Sequence, residues 1–294
     1  MKSIRKRRLG RTNLFVTELG LGAMDTPTSK ESHETINTAK DVGINFIDTA
    51  REYSGSEFLL GQHLRNNPNS EFNITSKTFS HTANGSQHDI DRSLATLGLS
   101  EIPLYQLHDI STFDAWSEVN DEEDGAITGL KIAKYRGLIK HLGVSCHNSD
   151  LLTEIIQSNI FDTIMIEYSA FHPSTASIIE VAAKNDIGVI VMRPLGGSGR
   201  MSALRTAVEE GYQGLLTPAN LLRYVLTNPN ISVAIPGARY SSRIQDNFST
   251  AINYQPMSTS ECKAIEIEAI NLCLLYTSDA ADEGLGVDLG GRRI

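Results

Sequence analysis

The chain has 294 residues, 40% hydrophobic and 21% charged, a balance that suits one large globular unit and excludes a disordered or membrane-embedded chain. Its formal net charge of −9 excludes a general nucleic-acid or anionic-membrane surface, since those partners need basic faces. Cys146, Cys262 and Cys273 have neither disulfide-framework nor zinc-ligand spacing, so reduced thiols and no metal site are expected.

The opening Ile4 to Met24 holds two short apolar stretches around a polar Gly10-Arg11-Thr12-Asn13 turn, which reads as a hairpin followed by a buried strand. The basic run Lys2, Arg5, Lys6, Arg7 and Arg8 reads as the solvated edge of that hairpin. It lacks the apolar core of a signal peptide, and no apolar run reaches transmembrane length, so the cytoplasm is the expected compartment. Helical and extended periods then alternate. The first half gives a helix over Lys30 to Val42, strand Ile44 to Ile47, helix Ser56 to Arg65, strand Phe72 to Ser76, helix Ser86 to Leu97 and strand Ile102 to Leu107. The second half gives a helix over Gly125 to Arg136, strand His141 to Ser145, helix Ser149 to Gln157, strand Thr163 to Ile166, helix Ser174 to Asn185 and strand Gly188 to Val191. Helix Pro218 to Thr227, strand Ser232 to Ile235 and helix Ser241 to Ala251 follow.

With the strand before Met24 there are eight strands, enough to close an α/β barrel of the (β/α)8 TIM type carrying an N-terminal β-hairpin. Such a barrel takes roughly 250 residues, which leaves one domain and no linker. Gly43, Gly98, Gly137 and Gly188 fall between helices and strands, where helix C-caps belong. Two connections are long: Asp109 to Asp124, with Trp116 and an acidic Asp121-Glu122-Glu123-Asp124 run, and Arg193 to Thr217. The acidic run reads as a solvated helix start, and Trp116 with Phe113 as an apolar pocket wall.

Three strand ends deliver chemistry to one rim. The run Ile44 to Ile47 ends in Asp48, and Tyr53 follows five residues later in a Ser/Gly-rich loop. Lys77 ends the next strand and His108 the one after. In a parallel α/β fold, groups at the carboxyl ends of strands and in the following loops face the site. With Arg8-Leu9-Gly10-Arg11-Thr12, Glu18-Leu19-Gly20-Leu21-Gly22 and Ser93-Leu94-Ala95-Thr96-Leu97-Gly98, these residues give a chain that resembles the aldo-keto reductases from about Arg5 to about Ile270.

That resemblance implies a catalytic tetrad of Asp48, Tyr53, Lys77 and His108. It implies carbonyl reduction with hydride from a nicotinamide cofactor, Tyr53 as proton donor, Lys77 stabilising the phenolate, Asp48 orienting Lys77 and His108 holding the carbonyl oxygen. There is no G-x-G-x-x-G after a strand, so a Rossmann site is not indicated. The family instead lays NADP(H) across the barrel rim. The corresponding residues here are Gly22, Ala23, Met24, Asp48, Ser145, Met165, Met192, Arg193, Pro194, Leu195 and Gly196, then Gly237, Arg239, Arg243, Asp246 and Asn247 at the adenosine end. Arg239 and Arg243 favour NADP(H) and leave NAD(H) open. Ser145-Cys146, Met165 and Met192-Arg193 depart from the family's usual nicotinamide-binding residues.

The expected activity is therefore reversible NAD(P)H-dependent reduction of an aldehyde or ketone, the partner being a small carbonyl or sugar substrate. An NAD-dependent aldose or sugar dehydrogenase is the alternative on the same barrel. A Schiff-base aldolase using Lys77 and a non-catalytic NADP(H)-binding redox-sensing subunit are more distant ones. Substrate and oligomeric state are not legible. From Cys273 the text changes to Cys-Leu-Leu-Tyr-Thr-Ser-Asp-Ala-Ala-Asp-Glu and a Gly-rich end, which looks like an in-frame translated sequencing-library adapter. The expected division is a barrel domain over 1–272 with a truncated C-terminus and a non-native tail over 273–294.

Overall fold

The hairpin explains how the barrel is stoppered. In the computed structural model, which describes residues 2–282, strands β1 (Lys6–Arg8) and β2 (Phe15–Thr17) pair antiparallel, Arg7 opposite Val16. The turn between them presses on the start of β9 (Gly188–Met192): the Arg11 amide donates to Asp186 O at 2.7 Å. A Cβ on Gly188 would stand 2.8 Å from the Leu9 backbone, so only glycine admits the hairpin there. Gly188 is thus not the helix cap that its position implied; Asp186 takes the left-handed φ of 56° instead, while Gly98 does act as a left-handed cap.

The N-terminal basic run is also more engaged than a solvated edge. Arg7 Nη2 pairs with the fully buried Glu18 carboxylate at 2.7 Å and donates to Leu226 O, while Nη1 reaches Ile231 O. Leu226 lies in the last turn of α9 (Pro218–Thr227), where carbonyls lack intrahelical partners and a cation is favourable.

The remaining elements run β3 (Leu21–Gly22), α1 (Ser32–Asp41), β4 (Phe46–Asp48), α2 (Ser56–Asn66), β5 (Asn73–Thr78), α3 (Ala83–Leu97), β6 (Ile102–Leu107) and α4 (Phe113–Val119). Then come α5 (Ala126–Tyr135), β7 (Ile139–Ser145), α6 (Ser149–Gln157), β8 (Thr163–Glu167) and α7 (Ala176–Lys184). After β9 follow α8 (Gly197–Glu209), α9, β10 (Val233–Ala234), α10 (Ser241–Asn253) and α11 (Thr259–Asp282). Strands β3 to β10 form one parallel sheet in sequence order. Its edges meet: Gly20 N donates to Ala234 O at 2.8 Å, Ala234 N to Glu18 O at 2.9 Å and Gly22 N to Pro236 O at 3.1 Å. This is the expected (β/α)8 TIM barrel, with its expected hairpin.

Apolar burial follows two shells. Leu9 and Val16 from the hairpin, with Phe46, Leu104, Met165, Ile190, Val233 and Ile235, fill the barrel interior from below. A larger cluster joins the outer faces of the strands to the helices. Helix starts are fixed by local chemistry: Thr82, Thr217 and Asn148 side chains accept the orphan amides of Gly85, Asn220 and Leu151, and Pro218 needs no amide partner.

Both long connections contain a helix that the sequence reading left as loop. In the first, α4 buries Trp116 against Phe161, with Nε1 donating to Glu154 Oε1 at 2.7 Å. Trp116 is therefore packing between α4 and α6 rather than a pocket wall, and Phe113 is exposed. The acidic run forms a turn ahead of α5, Asp121 Oδ1 accepting the amides of Glu123 and Asp124. In the second, α8 begins inside the glycine-rich stretch. Among the described residues no helix is long and apolar enough to cross a membrane. Helix α11 carries the chain past Cys273 to Asp282, and the rest of the tail, 283–294, lies outside the described residues.

Candidate active site

At the carboxyl ends of β4, β5 and β6 the four sequence-predicted groups stand together. Lys77 Nζ donates to Asp48 Oδ2 at 2.7 Å and to Thr49 O at 2.8 Å, and lies 3.4 Å from the Tyr53 hydroxyl. The hydroxyl is 3.5 Å from His108 Nε2. Parallel pairing of β4, β5 and β6 makes this convergence possible, because Asp48 opposes Thr75 and Lys77 opposes Gln106 across adjacent strands. Tyr53 arrives from the loop, whose Arg51 amide binds Lys77 O at 3.1 Å, and its ring meets the His108 ring edge-on at 5.5 Å.

Burial dominates the electrostatics here. Lys77 is fully buried, and the loss of water pulls its pKa down against the pull of Asp48. Asp48 is pushed up by the same burial, opposed first by Lys77. The Tyr53 phenol moves in a direction opposite to the sequence expectation. Burial raises its pKa, the Asp48 and Glu52 carboxylates raise it further, and the Arg193 guanidinium is what pulls it down. Lys77 does not dominate because its charge is matched at 2.7 Å by Asp48. In this state the phenol holds its proton across the neutral range.

Most of the predicted cofactor residues fall at the carboxyl ends of other strands or in the segments that follow them. Gly22 and Ala23 are tied at the mouth, the Ala23 amide donating to Asp48 O at 2.8 Å, and Met24 is exposed. Ser145 Oγ accepts the Asp109 amide at 2.8 Å. Its neighbour Cys146 is buried, its thiol pushed up to about 11 by burial, as befits packing rather than reactivity. Met165 is enclosed in the barrel interior, with Met192 packed on that cluster and partly exposed above it. Arg193, with φ of 50°, extends to Glu167 Oε2 at 3.1 Å, and Arg200 binds Glu167 Oε1 at 2.7 Å. Arg193-Pro194-Leu195-Gly196 is a turn closed by Gly196 N to Arg193 O at 2.8 Å. A Cβ on Gly196 would lie 2.5 Å from the Phe171 ring, so glycine is required at that left-handed corner.

At the far end Gly237 bridges Gly22 across the barrel seam. Arg239 and Arg243 are more than half exposed and have carboxylates only at 3.7 Å, Asp25 and Asp246 respectively. Asn247 is buried on α10. Thr26 Oγ1 to Ala238 O at 2.8 Å and Thr35 Oγ1 to Arg239 O at 3.2 Å hold this corner against α1 and the loop before it.

Two residues at the tetrad escaped the sequence reading. Glu52 Oε2 lies 3.3 Å from His108 Nδ1, and the Phe79 ring stacks on the imidazole at 4.0 Å. Glu52 directly precedes Tyr53 and Phe79 lies two residues beyond Lys77, so adjacency to the tetrad was the one available signal.

A buried Lys–Asp pair, a phenol and an imidazole thus stand together at the carboxyl-terminal mouth of the barrel. The chain belongs to the aldo/keto reductase family, whose model matches residues 18–267. Members of that family bind a nicotinamide cofactor and small carbonyl substrates. It is 24% identical to "Uncharacterized oxidoreductase YqkF" of Bacillus subtilis over 90% of this chain and 96% of that one. It is 24% identical to "L-galactose dehydrogenase" of Arabidopsis thaliana over 92% and 95% of the respective chains. The holo form of aldo-keto reductase AKR11C1 from Bacillus halodurans shares the fold, with a TM-score of 0.74 at 21% identity over 90% of this chain and 95% of that one.

Proposed function

We propose that this protein reduces an aldehyde or ketone to the alcohol with NADP(H), Tyr53 giving the proton. The observation that carries the reading is the unbroken set of contacts Asp48–Lys77–Tyr53–His108 at the barrel mouth. The residues present fit a nicotinamide dinucleotide. Asp48 Oδ1 is buried with no hydrogen-bond partner among the described residues, an acceptor free for a ribose hydroxyl. Helix α8 starts at Gly197 with first-turn amides suited to phosphate, beside Arg193 and Arg200. Arg239 and Arg243, weakly paired on α10 and the loop before it, are the groups for a 2′-phosphate.

When bound, the dinucleotide supplies hydride, which side chains do not. The protein holds the substrate oxygen between the Tyr53 hydroxyl and His108 Nε2, which stand 3.5 Å apart and on one side of the buried ion pair. As negative charge develops on that oxygen, the Tyr53 proton is the one transferred, with Lys77 Nζ 3.4 Å from the hydroxyl and the Arg193 guanidinium the charge that favours the phenolate left behind. A phenol that keeps its proton at neutral pH is in the form reduction requires. A sugar dehydrogenase is the second reading, favoured by the name of the plant relative; it would need the phenolate as base.

The test is nicotinamide absorbance loss with NADPH and with NADH across a panel of aldehydes, ketones and sugars. Carbonyl-dependent oxidation of NADPH in preference to NADH is the expected result. Turnover confined to sugar oxidation with NAD would replace this reading with the second.

A further inference from the structure

The loop after β4 sets a second carboxylate against the tetrad, one that the chemistry above leaves unused. Glu52 Oε2 is 3.3 Å from His108 Nδ1, and Glu52 Oε1 accepts the Phe79 amide at 3.2 Å. Both oxygens are therefore engaged, by residues that follow two different strands. The Phe79 ring lies on the imidazole at 4.0 Å between centroids and 16° between planes, closing one face of it. His108 Nε2, on the other side of the ring, is the nitrogen turned to Tyr53. An ionised carboxylate only accepts, so its contact with Nδ1 requires a hydrogen there. Neutral His108 then has its lone pair at Nε2, and charged His108 has an Nε2–H.

We propose that Glu52 is a positioning residue for His108: together with Phe79 it fixes the ring and its Nδ1–H tautomer, so that Nε2 is the nitrogen presented to Tyr53 and to the substrate oxygen. The catalytic half of this inference rests on the reductase reading, and the tautomer half on geometry alone. Neutral His108 accepts the Tyr53 O–H and aims the phenol. Charged His108 donates from Nε2 to the substrate oxygen.

The other charged or titratable groups facing this corner do not compete for Nδ1. Asp48 and Lys77 satisfy one another at 2.7 Å, Tyr53 meets Nε2, and His147 and Arg193 stand across the rim beside Glu167. Glu52 stays ionised, because its hydrogen bonds to His108 and to the Phe79 amide outweigh its partial burial and hold its carboxyl below the usual range. The contact is also specific to the residue type: an apolar side chain before Tyr53 would leave Nδ1 to water.

The experiment is long-range proton–nitrogen NMR on protein labelled with ¹⁵N-histidine, for the unmutated chain and for Glu52→Gln, which keeps the side chain's size. The unmutated protein should show His108 as the Nδ1–H tautomer, and Glu52→Gln, whose amide can either accept from Nδ1–H or donate to Nδ1, should raise the Nε2–H fraction severalfold. An Nε2–H tautomer in the unmutated protein, or an unchanged tautomer ratio in the variant, overturns the proposal. In steady-state reduction, Glu52→Gln should lower kcat by about tenfold or more, with the NADPH Kd within twofold. Parallel losses of cofactor affinity and turnover with an unmoved tautomer ratio would mark a merely structural role and count against the proposal. If the unmutated chain oxidises no NADPH with any carbonyl, the reductase reading fails, while the tautomer and its response to Glu52→Gln still decide the positioning claim.

Discussion

Replacing Lys77 by methionine removes one partner of a buried ion pair while keeping most of the side chain's volume. Lys77 has 0% and Asp48 4% of its side chain exposed, with 2.7 Å between charges, so neither is screened by solvent. Deleting one member of such a pair leaves the other charge buried and unmatched, at a cost of about 3–5 kcal/mol. The pH dependence follows from Asp48. Its carboxyl already sits above the ordinary range through burial, and Lys77 is the first influence drawing it back, so Lys77→Met moves it further up. A carboxyl raised in the folded state leaves stability intact below the unfolded pKa near ~3.9 and lowers it as pH rises through the folded value. Urea unfolding of Lys77→Met should therefore show the full deficit at pH 7 and a much smaller one near pH 4. Adding Asp48→Leu should recover most of the loss at pH 7, since replacing both charges by apolar groups removes the orphan. A deficit under about 1 kcal/mol at pH 7, or one equal at both pH values, would refute the reasoning.

Two further outcomes follow from the site and its surroundings. Arg239→Ala with Arg243→Ala should weaken NADPH binding by roughly tenfold or more, about 1.4 kcal/mol, and leave NADH within about twofold by fluorescence titration. An unchanged ratio of the two dissociation constants would remove these residues from the 2′-phosphate. Trp116→Ala should cost about 3–5 kcal/mol in unfolding, through the cavity between α4 and α6, while the order of substrate specificity constants stays the same. A reordering of substrates would place Trp116 at the pocket after all.

Much of the barrel was legible because its punctuation is chemical. The strand Ile102–Leu107 and the helices Ser149–Gln157 and Pro218–Thr227 fall where the sequence reading set them, each bounded by a cap, a proline or a change of period. Helix α3 starts three residues earlier than expected, because Gly85 in its first turn masked a start that Thr82 fixes by capping. Helix α8 was hidden for a similar reason: Gly197 and Gly199 in its first turn read as loop, whereas packing of Leu204 and Ala207 in the core carries the helix. Helix α4 has only seven residues, too few for a period to emerge.

At the site, Asp48, Lys77 and His108 each have an ordinary reading taken singly, and they stood out only as a set with Tyr53 at successive strand ends, with the flanking motifs in register. Their protonation was not legible, because it depends on burial and on which charges face each other. Lys77 is matched by Asp48, so the group that pulls the Tyr53 phenol down is Arg193, far away in sequence. Glu52 and Phe79 sit in loops with no periodicity to mark them, and only the parallel sheet brings them to His108.

The central claim, that Tyr53 supplies the proton in a nicotinamide-dependent carbonyl reduction, is tested most directly by comparing the unmutated chain with Tyr53→Phe. Both should bind NADPH with similar affinity, and turnover of carbonyl substrates in Tyr53→Phe should fall by about 10²–10⁴-fold. Retention of the unmutated chain's turnover by Tyr53→Phe, with both proteins folded, would contradict the account.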